Sequence, residues 1–351
     1  MRAAVYHGPR QISVEEVPEP QLRPGTVKVA VDWCGICGTD LHEYLEGPIF
    51  VPPADHPHPI TGESLPLTMG HEFAGRVVAV GEGTQTLKEG DPVAIEPVIN
   101  CGQCPECSRG DYHLCRKLGF VGLSGWGGGF SEFVVVPERL AYPLGTLDTE
   151  QGALVEPIAV GLHAVRKAHF GPGQTAVVFG AGPIGLATIH CLRASGARLV
   201  AVAEVAAARK EMAAQAGASV VIDPSQEDVV AGVQDLTDGA GADAAFEAAG
   251  LPVTIRTAIQ ATRRGGTVVN IAIWGQPVEL NLNDLVLAEV DLVGTIGYNR
   301  DHPATITLMQ DGRIDARSLI TKRIGLEEIV EGGFNELIEH KDRHAKILVH
   351  P

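Results

Sequence analysis

The chain has 351 residues, of which 45% are hydrophobic and 42 are glycine, enough material for two domains with separate cores. Its formal net charge of -16 repels phosphate backbones and anionic lipid headgroups, and no block of Lys or Arg offsets it, which argues against nucleic acid and membrane surfaces as partners. No apolar run reaches the ~18 to 20 residues of a membrane helix and MRAAVYHGPR holds no hydrophobic signal core, so a cytoplasmic location is expected.

The first 150 residues read as short alternating strands broken by Gly and Pro, for example VKVAVDW at 27 to 33 and FAGRVVAV at 73 to 80. Between them, residues 46 to 66 form a Pro- and His-containing stretch that reads as an inserted loop, with His56 and His58 expected in solvent.

Four of the seven cysteines follow: Cys101, Cys104, Cys107 and Cys115, spaced C-x2-C-x2-C-x7-C. That spacing brings four soft thiolates within reach of one tetrahedral ion and leaves no open position, which suits a structural zinc; an iron-sulfur cluster is the other chemistry that takes four cysteines. An odd cysteine total with such clustering points to a reducing compartment rather than a disulfide framework. Cys34 and Cys191 read as small buried packing groups.

From Gly173 the texture changes to apolar runs separated by Ala-rich helical stretches: TAVVF, LVAVAE, SVVID, ADAAFEA, TVVNIAI and DLVGTI. Six such strands predict a doubly wound parallel sheet, and so an α/β fold. Gly180, Gly182 and Gly185 form G-A-G-P-I-G, with Pro183 and Ile184, directly after the first strand and before the helical segment IGLATIHCLRASG. In that context the glycines permit a tight turn, close approach of a pyrophosphate and close helix-strand packing, while the helix N-terminus faces the negative charge. Glu204, nineteen residues after Gly185, ends the second strand, where a carboxylate accepts ribose hydroxyls and repels a 2'-phosphate; NAD is therefore expected rather than NADP. Arg209 either lies over the adenine or faces solvent on a helix. Beyond residue 295 the pattern is mixed, with a helix expected over Leu326 to His340 and a closing strand KILVH.

Taken together, CGICGTDLHEYLEGPIF, G-H-E at 70 to 72, GFVGL, LVEPIAVGLHAV, NIAIWG, GTIGY and the ending HAKILV resemble the zinc-containing medium-chain alcohol dehydrogenases over essentially the whole chain. Within them the resemblance points to the branch that holds (R,R)-2,3-butanediol dehydrogenases, with sorbitol dehydrogenases nearby. It implies a GroES-like, β-rich catalytic domain at 1-155, completed by 296-351, and a Rossmann NAD-binding domain at 156-295.

The resemblance also implies two zinc ions per chain, one catalytic and one structural. Cys37 and His71 would bind the catalytic ion, with a carboxylate replacing a second thiolate; Glu72 and Glu156 both stand as candidates. Thr39 and His42 match the family's proton relay, though read alone they are a loop hydroxyl and an exposed histidine. Ala249, Ile271, Ile273, Thr295 and Gly297 fall near the nicotinamide, at the C-terminal ends of later strands. Ile49, Phe50, Phe120 and Trp274 are candidates for the substrate pocket, or else core residues. The implied reaction is hydride transfer between a secondary alcohol and NAD, with zinc as Lewis acid. The expected substrate is (2R,3R)-2,3-butanediol, giving acetoin, with sorbitol or another polyol and L-threonine as alternatives. A catalytically inactive nucleotide-binding relative is the alternative from a different class. Family members associate as homodimers or homotetramers, and either state is open here.

Overall fold

In the computed structural model, which describes residues 1–351, the alternating segment around Val27 forms a ten-residue strand, Thr26–Gly35. It pairs antiparallel with Glu72–Val80 and with Phe133–Pro137, turning Val27, Val29 and Val31 into a shared core with Phe73, Val77, Val134 and Val136. The larger sheet runs, in spatial order, Ala141–Pro143, Pro92–Ile95, Glu72–Val80, Thr26–Gly35, Lys346–His350 and Ile320–Gly325, with Phe133–Pro137 also on Thr26–Gly35. The apolar tail KILVH thus returns to Thr26–Gly35, where Leu348 faces Gly35 and Val349 faces Cys34.

The chain divides into two compact units, Met1–Glu156 with Ile320–Pro351 and Pro157–Leu319. Residues 296 to 319, expected with the first domain, belong instead to the second. Asp301 is fully buried there, 2.9 Å from His163 Nδ1 and paired with Arg166, both on the helix Val155–Lys167. An ion pair in such a setting holds the segment to the unit that supplies its partners. Ile306 and Met309 of the following helix, His302–Gln310, are buried as well.

The second unit is a six-stranded, all-parallel sheet in the order Val220–Ile222, Leu199–Ala203, Thr175–Phe179, Ala242–Glu247, Thr262–Asn270 and Asp291–Gly294. Every residue of Thr175–Phe179 is buried, as a parallel strand covered on both faces demands. Strand order reverses between Thr175–Phe179 and Ala242–Glu247, and open α/β sheets bind ligands at that switch point.

Two local expectations change. The helix expected over Leu326 to His340 is broken into a 3-10 turn, a π-helix at Ile329–Asn335 and a short α-helix, Glu336–Glu339. Gly332 and Gly333 lie in the π segment; the Gly332 carbonyl accepts from Lys322 Nζ at 2.9 Å, and a Cβ on Gly333 would meet Ile36 at 2.6 Å. His56 is exposed as expected, but His58 is buried. Its loop folds back onto residues 118 to 124, and a Cβ on Gly119 would stand 2.6 Å from the His58 ring. No helix is long and apolar enough to cross a membrane.

Candidate active site

Two residues after the strand Thr26–Gly35 ends, Cys37 caps the helix Gly38–Glu46 with an extended backbone (φ -94°, ψ 159°). Its N–H donates to Asp40 Oδ2 at 2.9 Å, closing the turn that presents the thiol. Glu72 faces Gly35 in register across the sheet, and His71 precedes it. Cys37, His71 and Glu72 thereby bring one sulfur, one ring nitrogen and one carboxylate oxygen within 4.8 Å of one another. Position 35 has to be glycine, because a Cβ there would lie 2.4 Å from Glu72 Oε2.

The electrostatics fit a cation. Burial, then the Glu72 charge, push the Cys37 thiol above its usual range. Burial opposes charge on His71, yet Asp40 and Cys37 outweigh it and hold the imidazole well above its ordinary value. His71 Nδ1 is turned to Asp40 Oδ1 at 3.3 Å, an ion-pair contact that leaves Nε2 available to a metal. One sulfur, one nitrogen and one oxygen donor, mutually adjacent, match what zinc takes with a position left for substrate.

The two carboxylates differ in their surroundings. Both oxygens of Glu72 accept from Lys346 Nζ, at 2.8 and 2.6 Å. Burial opposes charge on Lys346, but Glu72, then Cys37, keep its ammonium above its usual value, and Glu156 adds to this. Glu156 is buried in the first turn of Val155–Lys167 and its carboxylate does not join the three mutual neighbours.

The four cysteines of the lobe also converge. Their sulfurs lie within 4.8 Å of one another, with Cys101 to Cys107 at 4.0 Å and Cys104 to Cys115 at 3.9 Å. Backbone N–H groups turn toward the sulfurs, Cys104 to Cys101 and Lys117 to Cys115 among them. The N–H groups of Gln103 and Cys104 bring the Cys101 thiol down to about 6, while burial raises Cys107 to about 12. Four unbridged thiols in contact form a closed tetrahedral donor set.

In the second unit each glycine of G-A-G-P-I-G has its own reason. Gly180 adopts φ +89°, Gly182 caps the helix Pro183–Ala194 with open space where a Cβ would be, and a Cβ on Gly185 would sit 2.0 Å from the Gly180 carbonyl oxygen. Glu204, buried, accepts from Ala181 N–H at 2.8 Å, Val205 N–H at 2.8 Å and Ala206 N–H at 2.9 Å. Its carboxylate therefore ties the glycine turn to the end of the next strand.

Comparison with known proteins decides the family. Residues 23–146 match the alcohol dehydrogenase GroES-like domain, and residues 183–311 match the zinc-binding dehydrogenase domain. The chain is 47% identical to (R,R)-butanediol dehydrogenase of Bacillus subtilis, covering 100% of both, and 44% identical to that of Neisseria gonorrhoeae, covering 100% of this chain and 99% of the relative. The crystal structure of 2R,3R-butanediol dehydrogenase from Bacillus subtilis superimposes with a TM-score of 0.94 at 47% identity, over 100% of this chain and 99% of that one. The chain belongs to the zinc-binding alcohol dehydrogenase family. The GroES-like and Rossmann domains expected from sequence are those of this dehydrogenase.

Of the remaining residues singled out from its sequence, Thr39 and His42 stand three apart on one helix face, the first half-buried and the second exposed. Phe50 and Phe120 meet edge to face at 6.1 Å and pack on the first core, and Ile49 is exposed. Trp274 belongs to the second unit, where it packs on that core and donates Nε1–H to Asn270 at 2.9 Å. Ala249 and Ile273 are exposed, Ile271 and Thr295 half-buried, and Gly297 has φ +55°. Arg209 is half-buried on the helix Ala207–Gln215.

Three residues of this dehydrogenase escaped the sequence reading. Asp40, fully buried, orients both Cys37 and His71; its spacing from Cys37 is that of a capping box, a signal that was legible. Lys346 sits in an apolar strand and nothing around it in sequence announces burial. Glu247, fully buried at the end of ADAAFE, accepts from Ala249 N–H, Gly250 N–H and Thr254 Oγ1–H at 3.0, 2.8 and 2.7 Å, which shapes the loop bearing Ala249.

Proposed function

We propose that this dehydrogenase interconverts (2R,3R)-2,3-butanediol and acetoin, using NAD and two zinc ions per chain, one catalytic and one structural. The observation that carries the reading is the full-length similarity to two (R,R)-butanediol dehydrogenases, joined to an intact Cys37, His71 and Glu72 donor set in which His71 and Glu72 are buried and Cys37 is half-buried. Cys37 and His71 hold the catalytic ion, Glu156 or Glu72 completes its protein shell, and Cys101, Cys104, Cys107 and Cys115 hold the structural one.

Bound zinc supplies Lewis acidity at the substrate hydroxyl, and the nicotinamide supplies the hydride acceptor. The chain's own residues do the rest. Thr39 would accept the hydroxyl proton only as it passes its own onward, and His42, exposed on the same helix face, would deliver a proton to solvent. Asp40 fixes the His71 tautomer. Gly182 lets the backbone approach the pyrophosphate, and Glu204 accepts the adenosine ribose hydroxyls while repelling a 2'-phosphate. Arg209 borders the adenine, Ala249, Ile271, Ile273, Thr295 and Gly297 border the nicotinamide, and Ile49, Phe50 and Phe120 line the substrate pocket.

The enzyme works as a homodimer or homotetramer in the cytoplasm. Support for association comes from an apolar strip on the second unit: Asp291–Gly294 is an edge strand, and Leu282, Val286, Leu287, Leu292 and Ile296 nearby in sequence are exposed. Seven unbridged cysteines suit a reducing compartment.

Initial rates of NAD reduction with (2R,3R)-butanediol, meso-butanediol, sorbitol and L-threonine, on protein assayed for zinc before and after chelation, test this reading. Chelation-sensitive activity greatest with the (2R,3R) diol is expected. Faster turnover of sorbitol or L-threonine would reassign the substrate and leave the reaction class intact.

A further inference from the structure

The helix that starts at Cys37 carries a second fully buried carboxylate that neither metal binding nor the proton relay uses, Glu43. Its Oε1 accepts the N–H groups of Ile49 at 3.1 Å, of Phe50, and of Val51 at 3.1 Å, and Oε2 lies 3.0 Å from the Ile49 nitrogen. Three successive backbone N–H groups converging on one carboxylate make a preformed anion nest, filled here by the chain itself. The Glu43 carbonyl accepts from Tyr6 O–H at 2.5 Å and from Gly47 N–H at 2.9 Å, so both ends of this residue are engaged.

The segment is held from its other side as well. The Phe50 carbonyl accepts from Ser124 Oγ–H at 3.3 Å, Ser124 Oγ accepts from Phe120 N–H at 3.2 Å, and the two phenyl rings meet edge to face. Val51 is buried, whereas Ile49 is 51% exposed. The anchors thus grip backbone and leave one branched side chain projecting. A Cβ on Gly47 would lie 2.6 Å from Glu43 Oε2, so glycine is what lets the loop close over the carboxylate. Burying a charge carries a large desolvation cost, offset here only because every donor is aimed at it.

We propose that Glu43 is a positioning residue for substrate discrimination: it locks Ile49 to Val51 onto the helix that begins at Cys37, so the wall formed by Ile49 and Phe50 keeps a fixed relation to the metal-binding thiol. The inference rests on the assignment of Ile49 and Phe50 to the substrate pocket made above. Without the carboxylate three N–H groups lose their acceptor, the segment relaxes, and the pocket accepts both configurations at the reacting carbon.

The test compares wild type, Glu43→Ala and Glu43→Gln as full-length zinc-loaded protein. Measured quantities are kcat and KM for (R)- and (S)-2-butanol and for (2R,3R)- and meso-butanediol, with zinc per chain and NADH binding alongside. We expect the enantiomer ratio of kcat/KM to fall by about tenfold in Glu43→Ala, with KM moving more than kcat and zinc retained. Glu43→Gln should fall between, because a carboxamide keeps one acceptor oxygen. Unchanged ratios in both variants overturn the proposal, as does a loss shared equally by both enantiomers that tracks lost zinc. If Glu43→Ala fails to fold, Glu43→Gln alone decides. Wild type that turns over 2-butanol stereoselectively but not butanediol refutes the butanediol reading and leaves this one standing.

Discussion

Lys346 Nζ lies 2.6 and 2.8 Å from the two carboxylate oxygens of Glu72, and the side chains are 1% and 0% exposed. A pair buried this fully is held by geometry: removing one member strands a charge, whereas removing both costs little. Lys346→Met should therefore destabilise metal-free protein by about 3 to 5 kcal/mol, and Lys346→Met with Glu72→Gln should recover most of that. Urea denaturation after chelation measures it. An equal loss in the double variant would show that Lys346 acts by packing its stem.

The two metal clusters should respond separately. On the proposed two-zinc reading, Cys37→Ser is expected to abolish turnover and to lower zinc from two ions per chain to one, with NADH affinity kept within about twofold because the glycine turn lies in the other unit. Cys104→Ser should also lose one ion, but its signature is a lower unfolding temperature, since closed four-cysteine sites are coupled to folding. Metal analysis with thermal denaturation separates these outcomes, and turnover by zinc-free Cys37→Ser would contradict the first.

Glu204 engages three backbone N–H groups, and on the proposed reading it also accepts the ribose hydroxyls, so its loss would act on the glycine turn and on the cofactor together. Glu204→Ser should raise KM for NAD by roughly 10- to 100-fold, the worth of a hydrogen bond to a charged group, and narrow the preference over NADP. Steady-state kinetics with both cofactors read this out. An unchanged NAD to NADP ratio would remove Glu204 from cofactor selection.

His302 supplies a pH dependence. Burial holds its imidazole down at about 3, against the opposing pull of Asp301. Between about pH 6.5 and 3 the unfolded chain binds a proton that the folded one refuses, so stability is full above that window and declines as pH falls through it. From pH 7.5 to 5 the loss amounts to about 2 kcal/mol. His302→Gln should flatten this part of the profile, and denaturation midpoints at the two pH values check it.

Much of this was legible in the sequence because the governing signals are local. Six apolar runs separated by helical stretches specify a parallel sheet by period alone, and G-A-G-P-I-G between strand and helix specifies a turn whose φ angles and close approaches only glycine tolerates. Cys101, Cys104, Cys107 and Cys115 are close in sequence, so their convergence needs only two short turns.

Tertiary structure alone decided what depends on distant strands. Lys346 reaches Glu72 because the last strand pairs with Thr26–Gly35, across an interval no sequence pattern encodes. Residues 296 to 319 join the second unit, where buried Asp301 pairs with His163 and Arg166 and Ile306 and Met309 are buried. His58 is buried because its loop folds back on Gly119, and Glu43 is an anchor because three N–H groups turn toward it. A charged or polar side chain in sequence reads as solvated; only the partners assembled by folding offset the desolvation that lets it go inside.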